Sequence, residues 1–537
     1  MKKYLWTILF IIILPVYLYA ACTGSSPTWT STPDRTSVNT CVGSASAGDT
    51  INISAGTETW TSEVEIDKEL YIVGAGKTLT HINNSAWAAF KINLSSDVPV
   101  RITGLHINSG VSSRYAIFIN AKRDGSFACT QIRIDNNKFE TGFRNIYVYG
   151  WMEGLIDNNE FLNCNIAVMA QGDHHYAWTR TIEAGTANAL FIEDNTFTVN
   201  SDVAGSINEQ IYHYDGSRTV IRYNVFDHSA DTAHDNLPIE SHGNGSYYPL
   251  SGSRGQPIIE IYENTFTLHH TYRIIYLRGG SFLIYDNDAT TVSGTPPFIA
   301  LNEEEAWQTS FCDPLDDAWP AEDNITNSFV WDNTLNAGAV TGITVYTSAA
   351  DDWIVEDHDY FMNAPESSGG YTYYDDRQGA SGRGADGTLN WVSDHANAYY
   401  PYTAYTYPHS LQGADVTVPT ISGAGPSGEQ ACTSDERNVT LYWTTSETAN
   451  CRIDTSDLGD YDDATADSVT NTDSTSHSDV ESFACDASYN RYVYCEDPSG
   501  NESTLTTISF SIAAEQPPAV TGFATCTGVG MSGGSAN

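Results

Sequence analysis

Positive charge is scarce in this chain: 24 lysines and arginines stand against 67 aspartates and glutamates, a formal net charge of −43 over 537 residues. Such a field repels phosphate backbones and anionic membranes, so nucleic acid and charged lipid surfaces are excluded as partners. It attracts cations and suits a salty or calcium-containing medium, although solubility alone accounts for it equally well. Helical periodicity is missing too. No amphipathic stretch keeps a helical period beyond two or three turns, which excludes a helical bundle. The ten cysteines include no CxxC pair, which argues against a zinc ribbon. No glycine-rich phosphate loop is present, so a nucleotide cofactor is not expected. Beyond the N-terminus, no apolar run reaches membrane-spanning length.

What is present begins with that N-terminus. Lys2 and Lys3, an apolar run from Tyr4 to Leu18, and small Ala20 and Ala21 read as a secretory signal peptide over 1–21. The alternatives are an uncleaved anchor, which Pro15 interrupts, and lipidation of Cys22, which Tyr19 fits poorly. Exported chains use cysteine for disulfides rather than metal thiolates. Cys22 and Cys41 can close an N-terminal loop, stabilising it by about 3 kcal/mol, a bond that lipidation would forbid.

One phrase recurs: IDNNKF, IDNNEF, IEDNTF, IRYNVF, IYENTF, IYDNDA and VWDNTL. Its asparagines are Asn137, Asn159, Asn195, Asn224, Asn264, Asn287 and Asn333, spaced by 22, 36, 29, 40, 23 and 46 residues. A floor of 22 signals a solenoid whose unit is a coil of short strands. Isoleucine and aromatic, five apart with asparagine between them, read as two strands meeting at a polar corner. The fold expected is a right-handed parallel β-helix: equivalent residues stack about 4.8 Å apart, with Ile and Phe inside. Asparagine is expected both to take the left-handed turn and to bond its amide to the next coil. The phrase is therefore structural, not catalytic.

At this point the chain resembles the pectin-lyase-like superfamily of exported bacterial β-helix proteins. GDTINISAGTETW at 48–60, running into ELYIVGAG, looks like the capping first coil of such proteins; YLRGG at 276–280 and TYPHSL at 406–411 look like their turn and closing motifs. The resemblance covers about 22–415 and implies the fold more than an activity, because the superfamily holds lyases, hydrolases, adhesins and phage spikes. The R-x-P-x-x-R signature of pectate-lyase-like enzymes is absent, and so are the successive N-T-D, D-D and G-H-G stretches of galacturonase-like hydrolases. After a Pro/Gly/Ser-rich linker, residues 416–515 resemble an immunoglobulin or fibronectin III-like β-sandwich. That resemblance implies Cys451–Cys495 and Cys432–Cys485 disulfides. Residues 516–537 have the composition of a linker.

Chemistry is expected where the coils are long. Beyond a bare coil of 22, the intervals of 36, 29, 40 and 46 carry 14, 7, 18 and 24 extra residues. Solenoid insertions gather on one face as loops. QGDHHYAW at 171–178, DTAHDNLPIESHGNGSYY at 231–248 and LNEEEAWQTSFCDPLDDAW at 301–319 are loaded with carboxylates, imidazoles and aromatics. Aromatic faces suit sugar rings, and carboxylates and imidazoles suit their polar edges. For β-elimination on a uronate, a cation must neutralise the sugar carboxylate and a base must take the adjacent proton. Asp173, Glu240, His242, Arg254 and Arg278 are the catalytic candidates. His174, His175, Tyr176, Trp178, His234, Asp235, Tyr247, Tyr248 and Arg273 are candidate substrate contacts. Asp173 with Glu240 would be the carboxylate pair of a hydrolase. The plainer reading is that such histidines are hydrogen-bonded surface groups and that NEEEAW is a solvated acidic loop.

The expectation is thus an all-β, extracellular or cell-surface protein that binds and cleaves a polysaccharide, acidic by preference, as a lyase or glycoside hydrolase. The alternative is a non-catalytic adhesin or structural protein with a β-helical stalk. No cofactor is required, calcium is the ion the acidic loops would suit, metal ligands are unassigned, and no membrane span remains after signal removal.

Overall fold

A computed structural model describes residues 22–110, 115–173, 175–178, 180, 184–200, 209–232, 237–242, 255–269, 272–302, 325, 328–346, 354, 356, 360–365, 402–413, 419–432, 436–456, 474–496 and 503–514, without the side chains of 175, 178, 436, 447, 448 and 474. The expected signal peptide and C-terminal tail lie outside the described residues. Those up to Gln412 form one compact unit and those from Gly413 another.

The first unit is a parallel β-helix. Each coil contributes one strand to each of three sheets, here called A, B and C in the order the chain visits them. Sheet A has thirteen strands, B eleven and C ten, and along each the partner is the strand of the next coil. The repeated phrase turns the chain from A to B. Its isoleucines form one buried line on sheet A, in which Ile102, Ile134, Ile156, Ile192, Ile221, Ile261 and Ile284 are successive register partners. Its phenylalanines line sheet B. Rings of Phe139, Phe161, Phe197, Phe226 and Phe266 stack with centroids 5.0, 4.9, 4.6 and 4.7 Å apart.

Between the two lines runs the asparagine ladder. Asn195 illustrates a rung: its side-chain oxygen accepts from the backbone N–H of Asn159, and its amide donates to the carbonyls of Ile156 and Glu193 and to Asn224 Oδ1. The left-handed turn expected of these asparagines belongs instead to the residue before each one. Asn136, Asn158, Asp194, Tyr223, Glu263, Asp286 and Asp332 have φ between 51° and 57°. A rung asparagine must aim its amide into the core to reach both neighbouring coils, so its predecessor takes the strained conformation.

The N-terminal end is closed by a short hairpin, Cys22–Ser25 with Thr28–Ser31, and by the helix Arg35–Ser44. Asp34 caps the helix, accepting from Ser37 N–H at 2.9 Å. Val38, Cys41 and Val42 bury its inner face over the first coil. The Cys22–Cys41 disulfide forms as expected and occupies the thiol that lipidation would need. Residues 402–412, which contain the TYPHSL motif, lie across the outer side of sheet A. There Arg222, fully buried, pairs with Glu193 at 2.6 Å and donates to the carbonyls of Tyr405 and Thr406. Arg133 likewise pairs with Asp157 at 2.7 Å and donates to Leu411 and Gln412.

The second unit is a small β-sandwich built around Glu436–Asp454, one long strand whose first part pairs with Ser474–Ala484 and whose end pairs with Ala487–Glu496. Val439, Leu441 and Trp443 point into its core, while Tyr442 is exposed. The Cys432–Cys485 and Cys451–Cys495 disulfides are both present. Three disulfides fit an oxidising compartment. No helix among the described residues is long and apolar enough to cross a membrane.

Candidate functional site

The outer side of sheet A carries residues 402–412; the outer side of sheet C carries a stripe of aromatic and ionisable side chains. Alternation produces it: in the strand Arg144–Gly150, Ile146 and Val148 point inward and Tyr147 and Tyr149 outward. Register then lines up the outward positions. One row runs Phe118, Tyr147, Met169, Tyr212, Glu240, Tyr276. The next runs Asn120, Tyr149, Gln171, Tyr214 and continues at His242, Arg278 and Asn302. Trp87, exposed at 48%, begins the stripe, its ring 4.8 Å from that of Phe118. Tyr147 and Tyr214 both donate their hydroxyls to Gln171 Oε1. At the far end the Arg273 guanidinium sits among three rings, 3.9 Å from Tyr272, 3.7 Å from Tyr276 and 4.2 Å from Tyr346.

Ionisable groups concentrate within this stripe. Arg278 donates to both Glu240 and His242 Nε2, and Glu240 Oε1 lies 3.1 Å from that same nitrogen. Glu209, one coil earlier, hydrogen-bonds to Glu240. Burial first, then the charge and hydrogen bond of Glu240, push the Glu209 carboxyl up to about 9, against the pull of Arg278 and Arg144. A carboxyl that keeps its proton, Glu209, thus lies against Glu240, beside a guanidinium and an imidazole. The arrangement can neutralise an incoming carboxylate, accept a proton at the imidazole and return one from a carboxylic acid.

Glu240 and His242 were singled out from the sequence as members of one loop and Arg278 as part of the YLRGG turn, and the structure brings the three into mutual contact. Its route differs from the expectation. Residues 231–248 are not a single inserted loop, because Leu237–Ser241 forms a strand of sheet C in their midst. Leu237 and Ile239 alternate with Glu240, and the neighbouring strands on both sides fix the register. The other long stretches are also anchored at the corners of sheet C, after the strands Ile166–Gln171 and Ile299–Leu301.

Asp173 does not join the cluster. It follows the strand of Gln171, two coils before His242, and is 1% exposed. Arg180 pairs with it through both carboxylate oxygens, and burial raises its carboxyl while Arg180 opposes the shift. Asp173 and Glu240 therefore do not face each other as a hydrolase pair. Tyr176 lies on the short helix His175–Trp178 and is 40% exposed. Arg273 stands at the end of the stripe. His174, His234, Asp235, Tyr247, Tyr248 and Arg254 lie outside the described residues, as do the side chains of His175 and Trp178. Among the described residues no group of three or more His, Cys, Asp or Glu side chains is arranged to hold a metal ion.

Sequence reasoning missed Glu209, Arg144 and nearly all of the aromatic stripe. A signal existed. Where nothing is inserted between the rung and sheet C, the outward position falls ten residues after the rung asparagine, as from Asn137 to Tyr147 and from Asn159 to Met169. Insertions before sheet C stretch that offset to 17 for Tyr212 and 16 for Glu240, which hides the rule.

No protein-family model matches the chain, and no curated protein matches it. Among solved structures it is similar to ORF18 of Geobacillus virus E2, at 15% identity and a TM-score of 0.31 over 58% of this chain and 55% of that one. It is also similar to the PL6 family alginate lyase AlyGC, at 15% identity and a TM-score of 0.28 over 60% and 53% of the two chains. An arginine-to-alanine mutant of AlyGC gives 12% identity and a TM-score of 0.31 over 76% and 61%. The chain thus spans between half and two thirds of the length of these solved chains.

Proposed function

We propose that this protein acts outside the cell on an acidic polysaccharide, holding the chain along the outer side of sheet C and cleaving it by β-elimination at Glu240, His242 and Arg278. The observation that carries the reading is the contact of Arg278 with both Glu240 and His242 in the middle of an aromatic stripe. Arg278, with Arg144 nearby, neutralises the uronate carboxylate and so acidifies the C–H beside it. The His242 imidazole takes that proton as the base. The C–O bond to the leaving sugar breaks as the C=C bond forms, and the protonated Glu209 carboxyl returns a proton to the departing oxygen. Hydrolysis fits less well. A glycosidase needs its carboxyl groups about 5 Å or more apart, and Glu209 and Glu240 are close enough to share a hydrogen bond. Calcium is not needed to supply the positive charge in this scheme, and the assay includes it as a variable. The second unit is read as an accessory immunoglobulin-like module.

The test is to incubate the protein with polygalacturonate, alginate and other polyuronates, with and without calcium, and follow the ultraviolet absorbance of unsaturated uronate. Unsaturated product that disappears in Glu240→Gln supports lyase chemistry. Reducing ends without unsaturation would mean hydrolysis. Retained glycan binding with neither product would leave the adhesin reading standing.

A further inference from the structure

At the end of the stripe away from Arg278, an exposed aromatic patch adjoins a guanidinium without a counter-charge. The ring of Trp87 packs 4.9 Å from Tyr115 and 4.8 Å from Phe118, and both of those rings lie against Tyr147, at 5.1 and 5.4 Å. Arg144 is the register partner of Tyr115. It is half-buried with Nε turned inward, so its terminal nitrogens are what it offers to solvent. The rings of Phe143 and Tyr147 lie 4.8 and 5.8 Å from its Cζ, but among the described residues no hydrogen bond or ion pair engages the guanidinium.

Elsewhere in this unit arginines are neutralised. Arg101, Arg123, Arg133, Arg180, Arg222 and Arg278 each pair with an aspartate or glutamate. Glu209 lies in the row of Arg144, two register steps away, and a carboxyl that keeps its proton supplies no counter-charge. The anion that would neutralise Arg144 therefore comes from outside the chain. An exposed indole beside it suits the apolar face of a sugar ring, and a guanidinium fork suits a carboxylate on the ring edge. The row of Arg144 runs through Ile166 and Glu209 to Leu237, in the strand of Glu240, three register steps or about 14 Å along the solenoid. Ile166, Met169 and Tyr212 cover that interval with apolar surface. An extended sugar chain advances by roughly one coil spacing per unit, so about three units separate Arg144 from the reacting position.

We infer that Trp87, Tyr115, Phe118, Tyr147 and Arg144 form a second acidic-sugar subsite, which selects a polymer of consecutive uronates over one in which a lone uronate interrupts neutral sugars. The distance to the reacting unit rests on the function proposed above; the acidic-sugar site does not. The full chain carrying His242→Ala, so that cleavage does not consume the ligand, is titrated by calorimetry with hexamers of galacturonate, mannuronate and guluronate and with their carboxyl-reduced, neutral counterparts. Adding Arg144→Gln is expected to weaken binding of an acidic hexamer about three- to tenfold in dilute salt. That difference should vanish in about 1 M salt, and any affinity for the neutral counterparts should stay unchanged. Arg144→Lys should recover part of the loss, and Trp87→Ala should weaken acidic and neutral forms alike. Equal affinity of Arg144→Gln and its parent for the acidic hexamers overturns the inference. So does equal weakening toward the neutral ones, and so does a parent that binds no hexamer at millimolar concentration. If hexamer binding depends on Arg144 while the protein with His242 intact yields no unsaturated product, the lyase reading fails and the subsite stands.

Discussion

Replacing Asn195 by alanine tests the physical basis of the solenoid directly. Asn195 is the third of seven ladder rungs and is 1% exposed. The substitution leaves three buried main-chain groups without their partner: the carbonyls of Ile156 and Glu193, each 2.9 Å from its amide, and the N–H of Asn159, 3.0 Å from its oxygen. A buried polar group left unsatisfied costs roughly 1–3 kcal/mol. A water entering the vacated space would recover part of that. The expected loss is about 4 kcal/mol. Because each coil touches only its neighbours, one weakened rung also divides the array, so the unfolding transition should broaden as well as move to lower urea. Urea denaturation followed by far-UV circular dichroism reads both effects. Thr198→Ala, an outward position of sheet B on the same coil, should change stability by no more than about 0.5 kcal/mol. A loss below about 1 kcal/mol in Asn195→Ala, with an unchanged transition width, would refute the view that the amide ladder ties the coils together.

Other consequences concern charge. Glu209 carries its proton up to about pH 9 in the folded chain and only to about 4.5 when unfolded. Its contribution is therefore complete below the ordinary carboxylate range and is lost as pH rises toward 9. Glu209→Gln should match the wild type in acid and become progressively more stable than it as pH rises, and a constant difference in melting temperature across that range would contradict the raised Glu209 carboxyl. Removing the proposed base by His242→Ala should lower turnover by about 10²–10⁴-fold with little change in far-UV circular dichroism; unchanged turnover would remove His242 from the chemistry. Arg222→Met leaves Glu193 buried without its counter-charge and should cost about 3–5 kcal/mol. In Arg222→Met with Glu193→Gln much of that loss should return, and strict additivity in the same urea assay would show that the pair is not coupled.

Sequence alone determined the coil. The spacing of Ile134, Asn137 and Phe139, repeated as Ile156, Asn159, Phe161 and onward, specifies an inward aliphatic, a buried amide and an inward ring at each A-to-B corner. Only a stacked parallel solenoid satisfies all three at once, because each amide needs another directly above it. The outward residues of sheet C obey no comparable local rule. Glu209 meets Glu240 across 31 positions of sequence, and Arg278 meets His242 across 36. Those distances depend on insertions whose lengths carry no register of their own. Hydrogen bonding between successive strands set the register, and register placed a carboxyl pair, an imidazole and a guanidinium side by side. Asp173 lies in a sequence just as rich in polar groups, yet beyond the end of its strand it pairs with Arg180 instead. Residue type announced which groups could do chemistry; the stacking of coils decided which of them meet.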